Sequence, residues 1–391
     1  MLQSDTLASL GKTLRTSIER QEIAGANLLV LQGGRELFYL EDGLADPQSG
    51  RPMTRDAIFR LYSMTKPITA TAIMLLVERG EIDLLDPVSR YIPSFGRPLI
   101  EQGDRLVPPI REVHVHDLLH MTSGLVYGGE DRAGQHAEAL FRELGDRLHG
   151  DRPMGTLEFA DRMGRGPLAF EPGSDWRYGT SADILGAIVE IVSGMRFGEF
   201  LRREIFEPLD MPDTGFWLPE SKRTRLAKTV QDDGNGGLKT YEGDHLGVLH
   251  LFDREPAFES GGAGLCSTID DAAKFTTMLL NEGCLGSARL LKPRTVRQLT
   301  SAALSDRQQA GFAGWHSLIG HSYGSQMRVL THPGQAGLLG SVGEYGWDGW
   351  LGAYFANSPL DKLTFLFMVQ KRDSGTLAVT RKLRNLVFAG L

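Results

Sequence analysis

Apolar residues recur at Leu7, Leu10, Leu14 and Ile18, a spacing that lines one face of an α-helix. Two strand-like runs, 26–32 and 35–41, flank Gly33-Gly34 and predict a hairpin closed by a tight turn. From 67 to 79 the chain is apolar almost all round, with Ile68, Ile73, Met74, Leu75, Leu76 and Val77. That predicts a buried helix stopped by Gly80. A further helix is expected over 181–192, with Ile184, Leu185, Ile188, Ile191 and Val192 on its apolar face and Gly194 beyond its end. Residues 219–260 are irregular and rich in Gly and Asp, which reads as long loops with short strands. A helix over 270–280 begins well with Asp270 and Asp271, since acidic groups favour a helix N-terminus. Strands follow at 353–355 and 363–370, then a last helix over 377–388 carrying Leu383, Leu386 and Val387.

Strands at both chain ends with helices between them predict an α/β (α+β) fold. One sheet is built from both termini, and the middle of the chain is a helical insertion. The expected division is an α/β domain of residues 1–62 and 240–391 and a mostly helical domain of residues 63–239. Neither an internal repeat nor a low-complexity segment is visible.

Composition narrows the function. The 391 residues are 41% apolar, enough for a large core. Net charge is −7, and the 42 basic residues are dispersed, which argues against a nucleic-acid surface. Two cysteines, Cys266 and Cys284, cannot build a disulfide framework and fit a reducing compartment. The N-terminal residues lack a basic region followed by an apolar run, and no apolar stretch of about 18 residues exists. The expectation is a soluble, cytoplasmic protein without membrane contact.

The chemistry is concentrated in Ser63-Met64-Thr65-Lys66, directly ahead of the buried helix. On a helix this spacing puts hydroxyl and amine on one face, a turn apart. A serine is a poor nucleophile until its proton is removed, and lysine can remove it only if burial or nearby charge lowers its pKa. A second element is Tyr178, ahead of the 181–192 helix. It fits plain packing, or a phenolate base kept ionised by the Lys66 charge. The third is the Gly-rich segment 343–352, which contains Trp347-Asp348-Gly349-Trp350. It fits a packed β-turn, or an exposed strand edge whose backbone N–H joins that of Ser63 in an oxyanion hole.

Those three elements in order resemble the serine β-lactamase and penicillin-binding-protein superfamily, and the class C branch most. Within that branch the similarity is to the family VIII carboxylesterases. Accessory phrases agree: His120-Met121-Thr122-Ser123-Gly124-Leu125, Ile205-Phe206-Glu207-Pro208-Leu209-Asp210-Met211 and Gly261-Gly262-Ala263-Gly264-Leu265. The resemblance covers nearly the whole chain. It implies an antiparallel sheet flanked by helices beside a mostly helical domain, with the site between them. It also implies acylation of Ser63, with Lys66 and Tyr178 as proton-transfer partners and the N–H groups of Ser63 and Trp350 around the oxyanion. Tyr127 and Trp347 would line the acyl pocket, with Asp348 and Gly349 at the substrate. No cofactor and no metal is implied.

Two departures redirect the substrate. Penicillin-recognising members usually carry Tyr-x-Asn, and here the third position is Thr180. They usually carry a cation before Thr-Gly, where this chain has Trp347-Asp348-Gly349. Asp348 would repel an anionic substrate if it faced inward, and strand alternation allows either direction. The balance favours small neutral esters over β-lactams. Other readings are acyl transfer from the same acyl-enzyme, β-lactamase or D-alanyl-D-alanine carboxypeptidase action, and a non-catalytic acyl-sensing protein. Two unrelated chemistries are weaker. His116-Asp117-Leu118-Leu119-His120 resembles a zinc-protease pattern, but Asp117 is a methylene shorter than the glutamate required. Leu339-Gly340-Ser341-Val342-Gly343 lacks the first glycine of a nucleophile elbow.

Overall fold

The computed structural model describes residues 3–103 and 105–391. Its main sheet has eight antiparallel strands. From one edge to the other they run His321–Tyr323, Arg328–Leu330, Tyr345–Asp348, Tyr354–Ser358, Leu363–Val369, Gly25–Gln32, Arg35–Asp46 and Arg51–Pro52. The two chain ends meet where Leu363–Val369 pairs with Gly25–Gln32, in register from Ala26↔Val369 to Gln32↔Leu363. The sheet is therefore built from both termini, as the hydrophobic pattern predicts.

Alternation of side chains along the strands divides the core in two. Leu28 and Val30, with Phe365 and Phe367, face the terminal helices Ser4–Glu19 and Ala378–Ala389 and meet Leu10, Leu14, Leu383 and Val387. Leu29 and Leu366 face the other way, towards helix Ile269–Leu280 and its Phe275 and Met278. Both faces are covered, which is why these strands read as nearly unbroken apolar runs. The larger core continues into the helical part of the chain. There Lys66–Glu78, buried from Lys66 through Leu76, packs against Ser181–Ser193.

Several helices were not anticipated, the longest of them Arg132–Arg147 and Thr156–Gly164. In the first, Ala133, Ala137, Leu140 and Leu144 do follow helical spacing, but small residues and dense charge weaken the stripe. The strand carrying Trp347 is also not the sheet edge expected of it. Two short strands lie beyond, with Arg328↔Gly346 and Val329↔Tyr345 in register. Their pairing stops there, so only the end at Trp347 and Asp348 stays open on that side.

Candidate active site

Ser63 lies in a single 3₁₀ turn, Tyr62–Thr65, that runs straight into helix Lys66–Glu78. Pro67 suits this position, because the first helical turn does not need its missing N–H. The residue before the serine, Tyr62, has φ of 44°, in the left-handed region. An aromatic residue held there is strained, and such strain persists only where packing over-determines it. Tyr62 is buried against Val248, Ala263 and Leu351.

Lys66 is fully buried, whereas Ser63 opens onto a cavity of about 670 Å³. The Lys66 Nζ stands 3.0 Å from Ser63 Oγ, 3.1 Å from Tyr127 Oη and 2.8 Å from the Gly262 carbonyl oxygen. It also lies 4.6 Å from the centroid of the Tyr178 ring. Burial pushes its pKa down to about 7, while the charges of Asp183 and Asp348 oppose that fall.

The carbonyl that holds Lys66 is itself held. A Cβ at Gly261 would come within 2.2 Å of the Ala182 carbonyl oxygen, so only glycine lets this loop slide against the start of helix Ser181–Ser193. Thr69 donates to the Gly261 carbonyl at 2.7 Å. Ser260 and the Gly262 N–H both donate to the buried Asp183 carboxylate, at 2.6 and 3.0 Å. Asp183 thus ties the loop to the helix and supplies charge near Lys66. Sequence reading missed it. The available signal was an acidic residue in the first turn of an otherwise apolar helix.

Tyr178 accepts a hydrogen bond from Trp347 Nε1–H at 3.1 Å. Burial pushes its phenol pKa up, against hydrogen bonds from Ser63 and Trp347 that favour the phenolate. This reverses the order expected from sequence, in which a charged Lys66 keeps Tyr178 ionised. Desolvation penalises the charged form of each group, so the amine moves towards neutrality and the phenol away from ionisation.

Opposite Ser63, a Cβ on Gly349 would stand 2.1 Å from the Leu61 carbonyl oxygen. The strand end therefore runs directly against the turn that carries the serine. The next residue, Trp350, is clamped through its side chain. Its indole N–H donates to Asp373 Oδ1 at 2.6 Å, and its ring stacks on His245 with centroids 4.0 Å apart. Its backbone N–H has no acceptor among the turn and loop hydrogen bonds of the described residues. The Ser63 N–H lies in a first helical turn, where such donors lack helical partners.

A family model described as Beta-lactamase matches residues 10–389. The chain belongs to the Beta-lactamase family. It is 32% identical over 393 residues to Esterase EstB of Burkholderia gladioli, covering 98% of this chain and 95% of that protein. Among solved structures it is similar to EstCE1, described as a hydrolase with promiscuous acyltransferase activity. That match has a TM-score of 0.83 at 25% identity and covers 98% of this chain and 99% of the other. Simvastatin Synthase (LovD) from Aspergillus terreus shares the fold, with a TM-score of 0.82 at 21% identity over 99% of each chain.

Within this Beta-lactamase-family fold, Ser63, Lys66, Tyr178, Tyr127 and the strand end at 347–350 come together around one cavity. Tyr127, Tyr178, Asp348, Gly349 and Trp350 stand in its wall. Trp347, expected to line the pocket, does not: its indole is buried behind Tyr178 and packs edge-on against Tyr323. Asp348 turns into the cavity and accepts a hydrogen bond from Thr376 Oγ1. Thr180 is fully buried away from the wall, and its hydroxyl has no partner among the described residues. Asp117 forms a bidentate pair with Arg111 at 2.6 and 2.8 Å, while His120 Nδ1 contacts the His116 carbonyl oxygen at 2.8 Å. These groups serve the fold of that segment. Ser341 donates to Asp361 at 2.7 Å, remote from the site.

Proposed function

We propose that this chain is a serine carboxylesterase that hydrolyses small acyl esters without negative charge through an acyl-Ser63 intermediate. The observation that carries the reading is the 3.0 Å approach of a fully buried Lys66 amine to Ser63 Oγ, with the amine lowered to about 7. Neutral Lys66 accepts the serine proton as Oγ bonds to the ester carbonyl carbon. The carbonyl oxygen takes up the electron pair and is held by the N–H groups of Ser63 and Trp350. Collapse of that intermediate expels the alcohol oxygen, which takes its proton from Tyr178 Oη. Lys66, 4.6 Å from the centre of the Tyr178 ring, returns its proton to Tyr178. Water then attacks the acyl-enzyme by the same steps in reverse order. The likeness to an esterase over nearly the whole chain supports this choice. So does the replacement of the cation of penicillin-recognising relatives by Trp347, with the carboxylate of Asp348 at the next position.

The test compares p-nitrophenyl butyrate with a chromogenic cephalosporin. Ester turnover should dominate and disappear in Ser63→Ala. A phosphonate probe should add its mass at Ser63. Cephalosporin turnover with negligible ester cleavage would overturn the choice, and full activity in Ser63→Ala would overturn the whole assignment.

One observation favours acyl transfer as a second activity. A neighbouring cavity of about 750 Å³ shares Tyr178, Trp315 and Ser317 with the site, leaving room for an acceptor alcohol beside the acyl group. Added alcohol should then partition product from acid to the new ester. The natural partner in either case is a small molecule. No helix among the described residues is long and apolar enough to cross a membrane. A cytoplasmic setting is supported by two unpaired cysteines, one of them buried.

A further inference from the structure

The charged groups around the site cavity are unevenly distributed. Among the described residues no lysine or arginine stands in its wall, whereas Asp348 and Asp373 both do. Asp373 is already matched, since Trp350 Nε1–H donates to one of its oxygens and Arg372 Nε lies 3.0 Å from the other. Asp348 is different. It accepts one hydrogen bond from the Thr376 hydroxyl and has no ion-pair partner among the described residues. Around it the wall is aromatic: Tyr127, Tyr178, Trp315, Trp350 and the His245 ring stacked on Trp350. Trp315 is 41% exposed and set edge-on to Tyr178 with centroids 5.1 Å apart, so its ring is open to a ligand entering the cavity. An unmatched carboxylate beside open aromatic faces attracts an alkylammonium group, because ring quadrupole and carboxylate act with the same sign. A neutral substrate leaves Asp348 unmatched, and an anionic one faces it directly.

We infer that the preferred substrates are esters bearing an ammonium or quaternary ammonium group, recognised by Asp348 and the aromatic wall around it. This rests on the esterase reading and names its substrate class. Lys66 does not cancel the attraction at mildly alkaline pH, where burial leaves its amine largely uncharged.

The experiment compares isosteres that differ by one charge. With the cation on the leaving group, butyrylthiocholine is set against the 3,3-dimethylbutyl thioester of butyric acid. With the cation on the acyl group, p-nitrophenyl 4-(trimethylammonio)butyrate is set against p-nitrophenyl 5,5-dimethylhexanoate. At least one pair should show about a tenfold higher kcat/KM for the cationic member, the size expected of one well-placed cation site. That ratio should collapse towards one in Asp348→Asn, which keeps an acceptor for Thr376, and should shrink as salt is raised. Equal rates within both pairs would overturn the inference while leaving the esterase reading intact, and so would a cationic preference that survives Asp348→Asn. Failure to cleave p-nitrophenyl butyrate at all would instead remove the esterase reading beneath it.

Discussion

Gly349 and Leu61 are pressed together so closely that the space for a methyl group on Gly349 is already filled by the Leu61 carbonyl oxygen, 2.1 Å from where that carbon would sit. Both neighbours in this contact are backbone, so neither can rotate away. Gly349→Ala should push the strand end from the serine turn and displace the Trp350 N–H with it. A shift of about an ångström costs on the order of a hundredfold in rate. We expect kcat to fall by that order and the melting temperature to drop by several degrees, as overpacking of about 1–3 kcal/mol implies. Steady-state kinetics with a thermal melt would check both, and wild-type kcat in Gly349→Ala would rule out the proposed oxyanion donor.

The pH profile should follow Lys66. Its neutral form is the proposed base, so kcat/KM should rise with pH through about 7 and level off above it. Stability should move in the same direction. The folded pKa lies below the ordinary 10.5, so the unfolded chain binds more protons between about 7 and 10.5. This group therefore adds stability as pH rises across that window and imposes its full cost below it. A rate profile that stays flat between about pH 6 and 8 would exclude neutral Lys66 as the base.

Asp183 tests the electrostatics of the same site. Its carboxylate opposes the lowering of Lys66, so Asp183→Asn should move the rising limb of the rate profile to lower pH. Because Asp183 also binds Ser260 and the Gly262 N–H, some loss of stability should accompany the shift. An unmoved limb would mean that the carboxyl is protonated in the working enzyme, which burial favours.

The indole N–H of Trp347 is directed at Tyr178 rather than at substrate. Trp347→Phe removes that donor while retaining an aromatic ring. We expect kcat to fall by about tenfold, consistent with one hydrogen bond of about 1 kcal/mol or somewhat more, with KM nearly unchanged. A change confined to KM would indicate that Trp347 acts on the substrate.

Arg384 and Glu344 form an ion pair whose side chains are 0% and 2% exposed. Arg384→Met would leave a buried carboxyl unmatched, at a cost of about 3–5 kcal/mol. Adding Glu344→Gln should recover much of that loss. Denaturant melts of the two variants would show it, and the specific activity of the folded fraction should stay near wild type.

Local pattern carried much of this protein. The spacing of Leu7, Leu10, Leu14 and Ile18, the Gly33-Gly34 turn and the apolar run after Lys66 all act through near neighbours, so their elements are legible in the chain. The three ordered elements at Ser63, Tyr178 and Trp347 made the family legible as well. What remained hidden depends on groups brought together from distant positions. Trp347 and Asp348 sit on adjacent strand positions, yet one indole is buried behind Tyr178 and one carboxylate enters the cavity. Which of them meets substrate depends on where pairing with Val329 and Arg328 ends. Asp183 matters because a loop some 80 residues away wedges against its helix. The proton order was hidden for the same reason. Sequence singled out Ser63, Lys66 and Tyr178 as candidates for one site, but desolvation depends on everything that encloses a group. Only the tertiary structure, by enclosing both, decided that the amine loses its charge more readily than the phenol gains one.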